Sequence, residues 1–262
     1  MSEMPDLLKN LINGGLRLAG FRLVRNNPLT LSPEDIGLRQ LLSQLGISVV
    51  FDVGAHSGQY ATRLRNIGYW GRIVSFEPQA TVFAVLNEQA KLDPQWEAVR
   101  LALGDRETEQ DLNISQNSWS SSFLSVSPNI LEVEPGIAKT KVERVLVKTL
   151  DQVCHRFIES SDRVFLKIDA QGYEPKILNG AHAFLSRCEA VQMEMALFPS
   201  YQGQQSFSEM MEFMSKSGFS LAHLERGFWD ARTGYLIEVD GVFVRTKDLD
   251  RAFRDASSNH AR

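Results

Sequence analysis

Short apolar runs alternate with amphipathic stretches along most of the chain. The runs have the length of buried strands, and the amphipathic stretches repeat apolar positions at helical spacing. The pattern predicts strands at 49–53, 72–77, 97–103, 109–115, 142–150, 163–168, 190–197, 219–224 and 235–244. It predicts helices at 4–24, 33–45, 59–67, 79–92, 150–159, 173–185 and 207–216. Strands that alternate with helices favour a parallel sheet covered on both faces.

The first apolar run ends in a glycine-rich turn. One acid, Asp52, lies inside the run, and the turn consists of Gly54, Ala55, His56, Ser57 and Gly58. A strand, a glycine turn and a helix bring backbone close to nucleotide-like ligands in α/β proteins. The spacing differs from the dinucleotide pattern and lacks the Lys of a phosphate loop. It suits a ligand with a ribose and an amino-acid tail, whose ammonium Asp52 could hold, unless the glycines only close a tight turn.

Two further strands also end in acids. Glu77, followed by Pro78, ends the second strand and lies 23 residues beyond Gly54 (77 − 54). An acid at that distance typically binds ribose hydroxyls in nucleotide-binding folds. The third strand leads into Leu103-Gly-Asp105. Together with the glycine turn, these acids resemble the binding pattern of class I S-adenosylmethionine methyltransferases.

Later motifs narrow this resemblance to one family. The Leu103-Gly-Asp105 motif is followed by a Ser-rich stretch at 117–124, by Val147-Lys-Thr-Leu-Asp and by Phe165-Leu-Lys-Ile-Asp-Ala-Gln-Gly-Tyr-Glu. In this order, over about residues 47–245, they are similar to the FkbM-type methyltransferases. Two positions depart from the family pattern, because His56 stands where Asn is common and Gln171 where Glu is common.

The resemblance implies a Rossmann-like α/β fold. We expect a doubly wound, seven-stranded, mostly parallel sheet with a β-hairpin insertion, and a last pair of strands antiparallel to the rest. The domain would span 47–247, with an N-terminal helical arm over 1–46 that packs on the core and a polar tail over 248–262. The implied cofactor is S-adenosylmethionine. The residues expected to bind it are Asp52, Gly54, Ala55, His56, Ser57, Gly58, Glu77, Pro78, Leu103, Gly104, Asp105, Ser121 and Asp169.

Methyl transfer to a hydroxyl needs a group that accepts the hydroxyl proton. Asp169, at the end of the strand beside the cofactor strand, is the first candidate, with Glu194 and His56 as alternatives. Asp169 could instead cap the next helix, and His56 could only shape the glycine turn. Asp169 and Glu194 could hold a divalent cation, but no second acid adjoins Asp169 and we expect no metal site.

Three more residues are candidates for binding the acceptor: Gln171, Glu174 and Trp119. Glu174 could equally be an acid in the first turn of a helix, where it favours the helix dipole. Trp119 lies in a long Ser-, Asn- and Pro-rich stretch, 116–138. A loop of this length in a compact domain is usually functional or disordered, and we expect a lid over the site.

Composition and charge limit the partners and the cellular location that we expect for the protein. The 262 residues carry a net charge of −4, which gives no reason to expect nucleic acid as a partner. Two distant cysteines, Cys154 and Cys188, indicate a reducing compartment, and the apparent lack of a signal or membrane-length run leads us to expect the cytoplasm. Residues 4–24 could lie on a membrane surface, but we favour packing on the core or on a second copy in a homodimer.

The motifs together favour an S-adenosylmethionine-dependent O-methyltransferase that acts on a sugar, a glycan or a secondary metabolite. Methylation of an amine or a carboxylate is the nearest alternative. A binding protein that has lost catalysis is disfavoured because Glu77, Asp105 and Asp169 are all present. An NAD-dependent oxidoreductase is disfavoured by the glycine spacing.

Overall fold

A computed structural model describes residues 31–249. The predicted helix at 4–24 and almost all of the predicted polar tail lie outside this range. In chain order the strands are β1 (Val49–Val53), β2 (Arg72–Phe76), β3 (Trp96–Val99), β4 (Ala102–Leu103), β5 (Thr108–Ser115), β6 (Lys139–Lys148), β7 (Val164–Ile168), β8 (Cys188–Ala196), β9 (Phe219–Arg226) and β10 (Glu238–Arg245). The helices are α1 (Pro33–Gln44), α2 (Gln59–Asn66), α3 (Ala80–Ala90), α4 (Leu150–Val153), α5 (Glu174–Asn179), α6 (His182–Arg187) and α7 (Phe207–Lys216).

Seven strands form the main sheet in the order β3-β2-β1-β7-β8-β10-β9. The pairs from β3 to β8 are parallel, whereas β10 is antiparallel to both of its neighbours. This confirms the predicted doubly wound, seven-stranded, mostly parallel sheet. The expectation that both last strands oppose the rest is wrong, because β10 is antiparallel to β9 as well as to β8.

Both faces of the sheet are covered by apolar side chains. Phe51 and Leu166 belong to the larger core cluster on one face, and Val50 and Phe165 belong to a second cluster on the other. Successive residues of a strand point to opposite faces, so central strands buried on both sides are apolar almost throughout. This explains why the sequence pattern located β1 and β7 to within a residue.

A second, three-stranded sheet has the order β4-β6-β5. Its long antiparallel pair, β5 with β6, is the predicted hairpin insertion. The predicted third strand, 97–103, is divided between the two sheets, because β3 pairs with β2 whereas β4 pairs with β6. The main chain turns between the two pieces and brings Leu101–Leu103 to the rim of the main sheet.

Two helix predictions also need correction. The helix expected at 150–159 is the single turn α4, followed by a short 3-10 helix at Cys154–Arg156. The single helix expected at 173–185 is two short helices, α5 and α6, separated at Gly180. A Cβ at Gly180 would lie 2.0 Å from the carbonyl oxygen of Gly104, so the chain approaches closely there. The helix expected at 33–45 is α1, which Ser32 caps through the amide of Asp35. In residues 31–249 no helix is long and apolar enough to cross a membrane.

Candidate functional site

A cavity of about 310 Å³ opens at the carboxyl ends of the central strands. It is bounded by the turns that follow β1, β2 and β7, by the segment around β4, and by the loop after β5. Open parallel sheets bind ligands at this edge, where the strand ends leave a crevice. Of the expected site residues, those that line it are Gly54, Ala55, His56, Glu77, Pro78, Leu103, Trp119, Ser121, Asp169 and Gln171.

The glycine turn is packed directly against the end of β7. Gly54 has a φ of +74°, and a Cβ there would lie only 1.7 Å from the carbonyl oxygen of Asp169. The amides of Gly54 and Ala55 both donate to the carbonyl of Phe76. Only glycine fits this left-handed position without a clash, so the turn fixes the ends of β1, β2 and β7 relative to one another.

Glu77 is held at the rim by backbone amides. One carboxylate oxygen accepts from the amide of His56 at 2.9 Å, and the other accepts from the amide of Gln79 at 2.8 Å. Each oxygen has a second acceptor position, which is available to a ligand hydroxyl. Burial raises the pKa of Glu77 to about 7, although both amide bonds lower it.

Asp52 does not reach the cavity, contrary to the expectation that it holds a ligand ammonium. It is fully buried in the middle of β1, where it accepts from the hydroxyl of Ser75 and lies 3.3 Å from Nζ of Lys167. Burial favours the neutral amine of Lys167, but the carboxylates of Asp52, Asp169 and Asp240 together raise its pKa. Lys167 is therefore a buried cation. Lys167 lines the cavity, whereas Asp52 does not.

Asp169 faces the cavity at the end of β7, and its two oxygens have different neighbours. Oδ1 accepts from Nε2 of Gln171 at 2.9 Å, and Oδ2 lies 3.6 Å from Nζ of Lys167. It is not a helix cap: α5 begins after Tyr173, and Glu174 accepts from the nearby amide of Ala170 at 2.7 Å. The capping alternative is therefore wrong, and the carboxylate of Asp169 is free to meet a ligand.

The side-chain amide of Gln171 connects two acids. Its Nε2 also donates to Glu194 at 3.1 Å, and its Oε1 accepts from the buried hydroxyl of Tyr201 at 2.8 Å. Burial, followed by the charges of Asp169 and Glu238, raises the pKa of Glu194. Glu194 is not among the residues that line the cavity, whereas Gln171 is.

The loop after β5 lines one side of the cavity and contacts His56. One ring nitrogen of His56 is 3.0 Å from the hydroxyl of Ser118, and the other is 3.2 Å from that of Ser57. The imidazole stacks on Trp119 with 4.0 Å between ring centres. Burial lowers the pKa of His56, which favours the neutral ring.

His56, Ser118 and Gln171 are the non-glycine residues with positive φ in residues 31–249, and all three line the cavity. Such backbone conformations tend to occur at functional sites.

Several expected site residues lie outside the cavity lining. Ser57, Gly58 and Gly104 belong to the turns behind it. Asp105 makes an ion pair with Lys176, 2.8 Å away, on the outer side of the rim. Glu174 is buried below the turn after β7, where burial raises its pKa to about 8. In residues 31–249 no group of three His, Cys, Asp or Glu side chains is arranged to hold a metal ion.

The lining residues that were not anticipated include four polar ones on or beside the central strands: Tyr60, Lys167, Gln192 and Asp240. We call them the polar end of the cavity. Lys167 pairs in register with Asp52 on one side and with Gln192 on the other, so these side chains form a row across β1, β7 and β8. A lysine inside the apolar run Phe165–Ile168 was the available signal, because a buried charge needs a partner.

The fold and the site together define a class I methyltransferase. The sequence profile of the methyltransferase FkbM domain family matches residues 52–221. The match covers most of the chain, and the chain belongs to this family. No curated protein matches it at a significant level.

Solved structures of other methyltransferases are similar over most of the chain. A magnesium protoporphyrin IX methyltransferase from Synechocystis PCC 6803, with bound S-adenosylmethionine, is 12% identical, with coverage of 94% of this chain and 100% of that one and a TM-score of 0.42. A precorrin-6y C5,15-methyltransferase from Geobacter metallireducens is 13% identical, with coverage of 87% and 96% and a TM-score of 0.40. These distant likenesses say nothing about the acceptor.

The protein is therefore an S-adenosylmethionine-dependent methyltransferase, and its cavity suits that cofactor. Glu77 has free acceptor positions at the rim, and ribose hydroxyls could donate to them. Leu101, Leu103 and Phe123 supply an apolar wall beside it, as a nucleobase requires. Gly54 removes the side chain that would otherwise obstruct the approach of the backbone.

Proposed function

We propose that this protein transfers a methyl group to a hydroxyl oxygen of a sugar, a glycan or a secondary metabolite. The observation that carries the proposal is the carboxylate of Asp169, which faces the cavity from the end of β7 and has no capping role. A hydroxyl must lose its proton when it is methylated, and a positioned carboxylate is a suitable acceptor.

S-adenosylmethionine, when bound, supplies an electrophilic methyl group on a sulfur that keeps the bonding electrons. The protein's share of the reaction is orientation and proton transfer. Asp169 accepts the hydroxyl proton as the acceptor oxygen forms its bond to carbon, and it later releases that proton to water. Gln171 and Lys167 hold the two carboxylate oxygens in place during this step.

The other two candidate bases fit less well. Both ring nitrogens of His56 already lie within hydrogen-bond distance of serine hydroxyls, and its ring is stacked on Trp119. Glu194 lies outside the residues that line the cavity and accepts a hydrogen bond from Gln171, and its raised pKa favours the protonated form. These contacts support a role for His56 in shaping the turn and a supporting role for Glu194.

The acceptor class is supported by the lining of the mouth. Trp119 is 55% exposed beside the polar groups of Asp169 and Gln171. An exposed aromatic face next to hydrogen-bonding side chains suits a sugar ring, which has apolar C–H faces and polar edges. The same arrangement suits a hydroxylated metabolite of similar size.

The test is incubation of the purified protein with methyl-labelled S-adenosylmethionine and a panel of sugars, glycans and hydroxylated metabolites. Matched panels should contain amines and carboxylic acids. An O-methyl ether survives mild base, whereas a methyl ester is hydrolysed, and mass spectrometry with NMR separates O- from N-methyl products. Label found only in amines or in base-labile esters would contradict the proposal. Cofactor binding without transfer to any panel would favour a binding protein that has lost catalysis.

A further inference from the structure

Two side chains at the polar end have groups without a partner among residues 31–249. The carboxylate of Asp240 lines the cavity and makes no hydrogen bond or ion pair within that range. Gln192 is 2% exposed, and its Oε1 accepts from the hydroxyl of Tyr60 at 2.7 Å. That bond leaves the Nε2 donors of Gln192 without an acceptor in the same range. Buried polar groups are nearly always paired, so unpaired ones that face a cavity indicate a ligand.

The charges around the polar end include more carboxylates than cations. The cations that line the cavity in the described part of the chain are Lys167 and Arg63, and each already has two carboxylate partners. These partners are Asp52 and Asp169 for Lys167, and Asp35 and Glu225 for Arg63. Asp240 adds a further carboxylate, and burial raises its pKa to about 7. A bound cation would hold Asp240 ionised and reduce the excess, which a neutral or zwitterionic group would leave as it is.

The position of Asp240 in the sheet indicates which ligand brings that cation. Glu77 follows β2, Asp169 follows β7, and Asp240 lies on β10. Neighbouring strands are about 4.8 Å apart, so Asp240 is two strands, or about 10 Å, from Asp169 and four strands, or about 19 Å, from Glu77. In methyl transfer the donor and the acceptor lie on opposite sides of the methyl group. A cofactor whose ribose binds Glu77 leaves the side of β8 and β10 to the acceptor.

An acceptor with an ammonium beside a hydroxyl matches both unpaired groups. The ammonium would donate a charge-assisted hydrogen bond to Asp240, and the hydroxyl oxygen would accept from Nε2 of Gln192. Asp240 pairs in register with Glu194, two residues from Gln192 on the same face of the sheet. Such diagonal neighbours are close enough for one small molecule to contact both. Amino sugars and hydroxylated amines carry this pair of groups.

We propose that the polar end binds an ammonium group of the acceptor, and that the acceptor is an amino sugar or a hydroxylated amine. The proposal rests on the O-methylation proposed above and narrows its acceptor class. An ammonium held by Asp240 has no free electron pair, so a hydroxyl of the same molecule, beside Asp169, is the group that reacts. Tyr60 acts as a positioning residue, because its hydroxyl fixes the amide of Gln192.

Saturation-transfer NMR tests the proposal before the natural acceptor is known. The probes are 2-, 3- and 4-amino sugars, each compared with the matching neutral sugar in which a hydroxyl replaces the ammonium. The full-length protein is first saturated with S-adenosylhomocysteine, so that only the acceptor side is open. At least one amino sugar should bind at least about tenfold more tightly than its neutral match, because it adds a charge-assisted hydrogen bond.

Variants of the polar end assign that preference to its side chains. Asp240→Asn keeps the shape and removes the charge, and should bring the amino sugar within about twofold of its neutral match. Gln192→Met should weaken both sugars several-fold, because both carry the neighbouring hydroxyl. Asp111→Asn, the same change at an exposed acid of the second sheet, should leave the preference as it is. Circular dichroism and melting temperature identify any variant that is not folded, and Asp240→Ser then replaces the Asn variant.

Three results would overturn the proposal. In the unmodified protein, no binding of any amino sugar, or equal binding of every matched pair, would show that the cavity does not select an ammonium. A preference that persists in Asp240→Asn would place the ammonium elsewhere. Loss of S-adenosylhomocysteine binding in a folded Asp240→Asn protein would assign the polar end to the cofactor.

Failure of the proposed O-methylation has a different signature. In that case the amino sugar would still bind in preference to its neutral match and would lose this preference in Asp240→Asn. With methyl-labelled S-adenosylmethionine, however, the label would appear on nitrogen or would not be transferred. Label on a hydroxyl of the preferred amino sugar, located by NMR, would support both proposals together.

Discussion

Asp169 lies between two donors, and its contacts predict what a neutral replacement does. Asn keeps the shape and can still accept from Gln171, but it cannot take a proton and no longer attracts Lys167. We expect Asp169→Asn to retain S-adenosylmethionine binding and its melting temperature within a few degrees. Turnover should fall at least about 100-fold, the lower range for loss of a general base.

Single-turnover rates with labelled S-adenosylmethionine, together with calorimetry, measure the two effects separately. Turnover within about threefold of the parent would remove Asp169 from the chemical step. Loss of cofactor binding would instead place it against the methyl donor.

The raised pKa of Glu77 leads us to expect that cofactor affinity depends on pH. Its pKa is raised to about 7, chiefly by burial, and ribose hydroxyls that donate to it stabilise the ionised form. Protonation therefore competes with binding below pH 7, and affinity should fall about tenfold between pH 8 and pH 6. Asp240, with a pKa also raised to about 7, lines the same cavity and would add to this fall.

The control is Glu77→Gln, which cannot titrate. It should bind S-adenosylmethionine at least about tenfold more weakly at pH 8, or ~1.4 kcal/mol, and should show a shallower pH dependence. Calorimetry at pH 6, 7 and 8 measures both quantities. A parent affinity that is constant over this range would argue against a ligand hydroxyl on Glu77.

Residues at strand ends were predictable, and residues inside strands were not. Glu77 and Asp169 each follow an apolar run, and parallel strands place such ends at one edge of the sheet. Gln192 and Asp240 lie within strands, and their meeting with Lys167 depends on register between segments as much as 73 residues apart (240 − 167). A pattern of apolar positions fixes the face of a residue but not its partner across the sheet.

At the scale of elements, the predicted lid is tied to the site at several points. Within 116–138, Ser118 meets His56, the Ser121 hydroxyl lies 3.3 Å from Gln79, and the Ser122 hydroxyl donates to the backbone of Gln171. The loop therefore contacts the turns after β1, β2 and β7. Two short 3-10 helices, Pro128–Glu132 and Pro135–Ile137, lie in the rest of this stretch, for which the pattern of apolar residues predicts neither a helix nor a strand.

These contacts predict that ligand binding protects the loop. Amide hydrogen exchange at 117–124 should slow when S-adenosylmethionine binds, because the ligand adds contacts to the same turns. Trp119→Ala removes the ring stacked on His56 and should reduce this protection. Exchange in Val49–Val53, a buried strand, serves as the internal reference. Equal protection of 117–124 in the free and bound protein would contradict the lid.

Helix and strand boundaries show where local signals end. Ser32 and Ser206 start α1 and α7 with side-chain caps, and both starts were predictable from the residues. The division of 97–103 between two sheets was not, because it depends on β6 as a partner more than 40 residues later (147 − 102 = 45). Local propensity gives an element its type, and tertiary pairing decides where it breaks.

In the whole molecule, several buried carboxyl groups lie in or near the site, and their burial affects the stability of the fold. Burial raises the pKa of Glu77 to about 7, of Asp240 to about 7 and of Glu174 to about 8. Such groups stay protonated in the fold at a pH where they are ionised in the unfolded chain. The arrangement suits ligand binding, since a cofactor cation or donor can compensate charges that the apo protein cannot.

The same acids predict that the free protein loses stability as pH rises. A carboxyl group whose folded pKa is raised binds its proton more tightly in the native state, so its contribution is complete below about pH 4.5 and disappears as pH rises through 7–8. Acids with lowered pKa, such as Asp162 beside Arg72 and Asp230 beside Arg232, lose their contribution only in stronger acid. The melting temperature should therefore be higher near pH 5.5 than at pH 8.5.

Glu174→Gln keeps an acceptor for the amide of Ala170 without a titrating group, and it should reduce this decline by at least about 3 °C, or ~1 kcal/mol. Glu109→Gln, a change at an exposed acid of the second sheet, should leave the decline as it is. Differential scanning fluorimetry from pH 5 to pH 9 would measure all three proteins, and a melting temperature that rises steadily to pH 8.5 in the parent would show that the buried acids do not control the stability of the fold.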